Sequence, residues 1–326
     1  MALVGVGGVA LVGVAQRRWR SALAGAAVVG VVAGLGMVAP DGSATGRLDV
    51  AVVQGGGPRG VRAVGRDPAP VLQRHVDATA GVRLPVDLVL WPEGVVDVEA
   101  DVATTAEGRT LSALADALDV TLVAGVVQAE PGDRFRNSAV PWGPDGAIHR
   151  GYDKVHRVPF GEYIPARRFF ERLGDVSAVP RDALIGRGPA ILDTPAGRLG
   201  VVISYEVFYP DRARDAIRSG GRVLLVPTNA SSYRNAQIPS QEVAAARLRA
   251  VETGRGVVQA APTGYSAVID HRGNVRSQGG LGGAEVLQAD VGLRTGQTLA
   301  VSLGSAPWLG AAALVLLLSL ARRRSR

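Results

Sequence analysis

Three strand exits in this 326-residue chain carry a residue that could do chemistry: Glu93 after VLWP, Lys154 in GYDKVHRVPFGEYIP (151–165), the loop after a hairpin, and Ser204 after GVVI. A carboxylate, an ammonium and a hydroxyl are groups that acyl transfer uses. That reaction needs a base to deprotonate the nucleophile, and fixed positive charge where the carbonyl oxygen becomes anionic. Taken singly, each residue has a plainer reading: an ion-pair partner, a solvated cation, a helix cap. Lys154 resists the plain reading, because it is the only lysine in a chain with 35 arginines. A slim ammonium on a flexible stem enters a pocket as a point charge, where a planar guanidinium is too broad.

The elements that must position these groups alternate between strand and helix. LDVAVVQ (48–54) reads as a strand followed by the turn GGGPRG, and VDLVLWPEG (86–94) as a buried strand with a Pro-Glu exit. Residues 111–118 read as a helix and 120–128 as the next strand. NSAVPWGPDGAIHRGY (137–152) reads as a hairpin turning at Pro-Asp-Gly. GRLGVVISYEVFYPD (197–211) is a strand that stops at Ser204, RVLLVPTNASS (222–232) is another, and 241–252 is helical with Val243, Ala246, Leu248 and Val251 among its apolar positions. Two more strands fill 256–275. Interleaved strands and helices with hairpins predict a layered α/β sandwich of mixed sheets, with its chemistry on the loops that follow strands.

The joint context of the three residues resembles a known family. WPEG at 91–94, YDKVHRVPFGEYIP at 152–165 and SYEVF at 204–208 look like the three catalytic segments of the nitrilase (carbon-nitrogen hydrolase) superfamily, and in particular of the apolipoprotein N-acyltransferases. The resemblance implies an α-β-β-α sandwich domain over 41–297 between membrane helices at 1–40 and 298–326. It implies Glu93 as general base, Lys154 as the cation that stabilises the oxyanion, and position 204 as the nucleophile. Glu162 and Glu206 would be supporting or substrate-binding carboxylates, and Asn229 and Tyr233 would line the pocket. The implied partners are a phospholipid acyl donor and a diacylglyceryl-modified apolipoprotein acceptor at the bacterial cell membrane, with no cofactor. A membrane-anchored amidase differs only in using water as the second acceptor, and a non-catalytic binder of acyl chains or lipoproteins is a third reading.

The chain departs from the pattern at the nucleophile. The family uses cysteine there, and this chain has Ser204 and no cysteine anywhere. A thiol titrates near 8.5, within reach of a carboxylate base, whereas enzymes that use a serine hydroxyl usually pair it with histidine or lysine. A slow natural serine enzyme, an inactive homologue and a deliberate substitution are all compatible with the sequence. His156 belongs to the motif and reads as structural.

Composition supplies the membrane expectation. Residues 21–40 and 298–321 are uncharged stretches of 20 and 24 residues, each enough to cross a bilayer as a helix. Residues 1–15 read as the tail of a further membrane helix. Arg17, Arg18, Arg20, Arg322, Arg323, Arg324 and Arg326 account for the whole net charge of +7, so 41–304 is neutral, with 29 basic and 29 acidic residues. The basic balance therefore marks membrane flanks and not a nucleic-acid surface, and the positive-inside rule puts 41–304 outside the cytoplasm. No metal-ligand spacing or phosphate loop is present. GVGGVA (5–10) lies in an apolar segment with no strand before it.

Overall fold

The computed structural model describes residues 39–60, 68–233 and 235–306, with scattered positions between 19 and 34 and Gly310. The chain divides into two compact units, Met1–Asp41 and Gly42–Arg326. Residues 1–15, most of 21–38 and 311–326 lie outside the described residues, and the expected membrane segments fall largely on them. Among the described residues, no helix is long and apolar enough to cross a membrane.

Within Gly42–Arg326 the strands form two sheets. The first contains β1 (Ser43–Gln54), β2 (Leu88–Leu90), β3 (Val96–Val98), β4 (Thr121–Glu130), β5 (Arg134–Trp142), β6 (Tyr152–Asp153), β7 (Asp182–Ala183) and β14 (Glu285–Thr295). Its order is β14-β1-β2-β4-β5-β6, with β3 on β4 and β7 on β5. The second contains β8 (Ile191–Thr194), β9 (Gly197–Val201), β10 (Leu224–Pro227), β11 (Val257–Ala260), β12 (Ala267–Ile269) and β13 (Val275–Gln278), in the order β13-β12-β11-β10-β9-β8.

Parallel neighbours need a crossover, and helices provide it. The helix α1 (Ala69–Thr79) joins β1 to β2, and α2 (Ala106–Leu118) precedes β4. A short helix α3 (Arg167–Phe170) lies in the long loop after β6. The helix α4 (Pro210–Arg218) joins β9 to β10, α5 (Gln237–Thr253) joins β10 to β11, and α6 (Leu299–Leu303) follows β14. Thr105 caps α2 by accepting from Gly108 N, and the left-handed Gly254 ends α5.

The two-residue period of β1 shows the layering. Leu48, Val50 and Val52 join a core with Leu199, Val201 and Leu224 of the second sheet and with Ala246 and Ala250 of α5. Ala51 and Val53 join a separate core with Leu111 and Ala115 of α2 and with Leu72 of α1. Each sheet thus packs its inner face on the other and its outer face on helices, an α-β-β-α sandwich. Each fully buried Val or Leu contributes roughly 1.5–3 kcal/mol relative to exposure.

The sequence reading differs from the structure in extent more than in kind. The hairpin over 137–152 forms, with β5 antiparallel to β6 and Gly143 N donating to Ala147 O at the turn. The strand expected over 86–94 is only Leu88–Leu90 in the sheet, because Pro92 cannot donate to a ladder. Not anticipated were the β4–β5 hairpin turning at residues 131–133, and β14, which covers the edge of β1 over its whole length. Val243 and Ala246 are buried as the helical pattern suggests, while Leu248 and Val251 are exposed.

Candidate active site

Glu93 leaves the sheet in a tightly held loop. Trp91, fully buried, donates its backbone N–H to Val123 O and its indole N–H to Thr79 Oγ1. Pro92 O accepts from Gly125 N, and Val95 N donates to Gly125 O. A Cβ on residue 125 would lie 2.4 Å from Glu93 Cα, so only glycine lets β4 pass this close to the loop.

Lys154 is fixed by the edge of the same sheet. Its N–H donates to Asn137 O, and its carbonyl accepts from Gly186 N. Its Nζ reaches Glu93 Oε1 at 2.7 Å and Glu162 Oε1 at 3.0 Å, with the side chain only 2% exposed. Asn137 Nδ2 donates to the same two oxygens, at 2.8 and 2.7 Å. Glu162 Oε2 accepts from Val158 N, which ties the carboxylate to the PFGE turn. Burial pushes the Glu93 carboxyl above the ordinary range, Lys154 opposes that, and Glu162 adds to it. Burial works against the Lys154 charge, but the two carboxylates outweigh it and hold the ammonium above the ordinary lysine value.

Ser204 stands where β9 gives way to a single 3-10 turn, Ser204–Phe208. Its φ is +49°, a left-handed conformation that non-glycine residues adopt only when the surroundings impose it. Glu206 imposes it. This wholly buried carboxylate accepts Ile203 N at 2.8 Å on one oxygen, and Val155 N at 2.8 Å and His156 N at 3.0 Å on the other. Tyr152 Oη donates to it as well. One side chain therefore ties the loop that carries Lys154 to the turn that carries Ser204. His156 stacks on Tyr209 and its Nε2 meets Asp211 at 3.2 Å, away from these contacts.

The loop after β10 adds two more residues. Asn229 Nδ2 donates to Glu93 O at 3.2 Å, and Tyr233 is half-exposed. Arg59, from the turn after β1, donates to the carbonyls of Tyr233, Asn235 and Thr263 and pins this loop.

The Ser204 hydroxyl meets a residue that the sequence reading passed over. Glu242, on the first turns of α5 and 4% exposed, receives Thr228 Oγ1 at 2.6 Å and Ser204 Oγ at 3.4 Å, and Thr228 and Ser204 are 3.1 Å apart. Burial is the largest influence on Glu242 and raises its pKa to about 7. Glu93 adds to the rise, and Thr228, Ser204 and Lys154 oppose it. A signal for it exists in the sequence: Glu242 is the one acidic member of a helical stripe that continues through Val243, Ala246, Arg249, Ala250 and Thr253, all buried. Asn137 was likewise read only as part of a hairpin.

Residues 49–300 match the carbon-nitrogen hydrolase family. The chain belongs to that family. It is 32% identical to an apolipoprotein N-acyltransferase of Geobacter metallireducens over 74% of this chain and 47% of the relative. It is 33% identical to one of Mycolicibacterium smegmatis over 68% of this chain and 39% of the relative. One of Photobacterium profundum aligns over 100% of this chain at 27% identity and over 65% of its own length. The chain thus spans less than half the length of the first two relatives. Among solved structures, Saccharomyces cerevisiae Nit3, a member of the nitrilase superfamily, superposes with a TM-score of 0.58 at 22% identity, over 78% of this chain and 92% of that one. A cysteine-to-serine variant of Nesterenkonia AN1 amidase superposes with a TM-score of 0.54 at 22% identity, over 76% and 91%. These two likenesses show the fold.

Proposed function

We propose that this chain carries the catalytic domain of an N-acyltransferase that moves a fatty acyl group from a phospholipid to the α-amino group of an apolipoprotein's N-terminal lipidated cysteine. The observation that carries the reading is the contact between the chain's single lysine and Glu93, buried at 2.7 Å, together with a hydroxyl held in a left-handed turn that Glu206 ties to the lysine's own loop. The names of the matched relatives support the choice of substrates.

In this reading Ser204 Oγ attacks the donor's ester carbonyl and carries the acyl group as an ester. Lys154 presents its ammonium to the oxyanion, and Glu93 is the general base of the cycle. Glu162 and Asn137 hold Lys154 and Glu93 in place, while Asn229 and Tyr233 line the entry. Glu206 acts through geometry, by holding the Lys154 loop against the nucleophile turn. Residues 1–40 and 298–326 would anchor the domain 41–297 to the outer face of a bacterial cell membrane, where both lipid substrates reside.

The test is to offer acyl-labelled phospholipid to the full chain and to Ser204→Ala and Ser204→Cys variants. An ester on residue 204 in the unchanged protein, absent from Ser204→Ala and stronger in Ser204→Cys, supports the reading. A folded Ser204→Cys protein that takes no label refutes it. Transfer of the label to water but never to a diacylglyceryl peptide would make the protein an amidase-like hydrolase instead.

A further inference from the structure

The hydroxyl of Ser204 has two side-chain partners, Thr228 and Glu242, and they form a short chain. Thr228 has one hydroxyl hydrogen, and its shorter contact, 2.6 Å, is to Glu242 Oε1. Once that hydrogen is committed, Thr228 Oγ1 turns a lone pair toward Ser204 Oγ at 3.1 Å, and among the described residues the Ser204 hydrogen can point to Thr228 or, at 3.4 Å, to Glu242 itself. Either path ends on the same carboxylate. Glu93 Oε1, in contrast, already takes hydrogen bonds from Lys154 and Asn137.

We propose that Glu242, through the Thr228 hydroxyl, is the base that takes the proton of Ser204, leaving Glu93 the proton of the acceptor amine. This rests on the reading of Ser204 as the acyl carrier. A serine hydroxyl is a weak nucleophile until a base within hydrogen-bond reach receives its proton, and here the base in contact is a carboxylate that a third group orients. Glu242 suits that work. Its Oε2 is buried with no hydrogen-bond partner among the described residues, so the anion is only partly stabilised. The ionisable groups that act on it from other elements are Glu93 and Lys154, of opposite sign, and burial leaves its pKa at about 7. Such a group both accepts and returns a proton near neutral pH.

The step balances. The Ser204 Oγ–H bond breaks and its proton passes to Thr228 as the Thr228 proton passes to Glu242 Oε1. The bond from Oγ to the acyl carbon forms, and the oxyanion faces Lys154. Collapse breaks the donor's ester C–O bond, and the leaving alkoxide takes the proton back from Glu242. An alcohol and an acyl-Ser204 ester remain.

A p-nitrophenyl butyrate burst isolates this step, because p-nitrophenolate leaves without needing a proton. With the full-length protein, the burst should require Ser204 and should rise with pH as one group of pKa near 7 loses its proton. Glu242→Gln should slow the burst by about 10²-fold or more and flatten the pH profile. Thr228→Val keeps the carboxylate but cuts the relay, so it should slow the burst while the pH dependence survives. It serves as the independent arm should Glu242→Gln lower the Tm enough to cloud the comparison. A Glu242→Gln burst within threefold of the unchanged protein, with the same pH profile, overturns the proposal and leaves Ser204 as acyl carrier. A protein whose residual ester cleavage is the same in Ser204→Ala overturns the acyl-carrier reading, and this inference with it.

Discussion

Replacing Glu206 by glutamine tests how much of the site is held by one buried carboxylate. Four donors converge on it: Ile203 N, Val155 N, His156 N and Tyr152 Oη. Glutamine keeps the shape but turns one acceptor into a donor. With the remaining oxygen facing Val155 and His156, the new NH₂ opposes the Ile203 N–H, 2.8 Å from the oxygen it replaces. Tyr152 can rotate its hydroxyl to accept, but a backbone N–H cannot. One buried unsatisfied N–H costs about 1–3 kcal/mol, and exchanging charged for neutral acceptors at the other bonds adds on the order of 1–2 kcal/mol. The total, about 2–5 kcal/mol, is a large share of a typical stability of about 5–15 kcal/mol. At about 2–4 °C per kcal/mol for a domain of this size, the Tm should fall by roughly 4–20 °C. The acyl-ester burst should also fall at temperatures where the variant is still folded, because the Ile203 bond helps to hold Ser204 at its positive φ. Thermal melts of the two full-length proteins side by side provide the measurement. A Tm within about 2 °C of the unchanged protein, with an unchanged burst, would refute the account of Glu206 as the tie between the two loops.

Lys154→Arg keeps the charge but not the shape, and it should lower acyl transfer by about 10²–10³-fold in a protein that still folds. Near-normal transfer in that variant would return Lys154 to a purely structural role. His75, fully buried, accepts from Gly55 N through Nε2 and meets Val71 O through Nδ1, and burial lowers its pKa to about 4. The unfolded chain takes the imidazole proton near its ordinary value of 6.5, before the folded one does. Stability should therefore fall by about 3 kcal/mol as pH drops from about 6.5 to 4, and denaturant melts of His75→Gln should lack that part of the slope. Reporter fusions within 41–304 should read as extracytoplasmic, with 17–20 and 322–326 inside; a cytoplasmic reading for the domain would overturn the proposed topology.

The strands and the three loops after them were legible because their signals are local. β-branched runs fix the strands, Pro-Glu and Pro-Phe-Gly mark the exits, and a solitary lysine in an arginine-rich chain singles out its loop. What escaped the sequence is the set of contacts that join distant segments. Asn137 reaches Glu93 across 44 residues, and Ser204 reaches Glu242 across 38. Their residue types carry no spacing rule, so only the folded sheets bring them together. Glu242 still left a trace, as a charge on the inward face of α5 where burial demands a reason.

That reason bears on the departure at residue 204. A thiol close to its ordinary pKa needs little more than a nearby cation to become a thiolate. A hydroxyl needs a base in contact, at the moment of attack. Thr228 and Glu242 supply a contact of this kind, from the residue after β10 and from α5. An enzyme crippled by losing its cysteine would have no call for a buried carboxylate aimed at the replacement. A chain adapted to serine would, and the Glu242→Gln burst distinguishes the two.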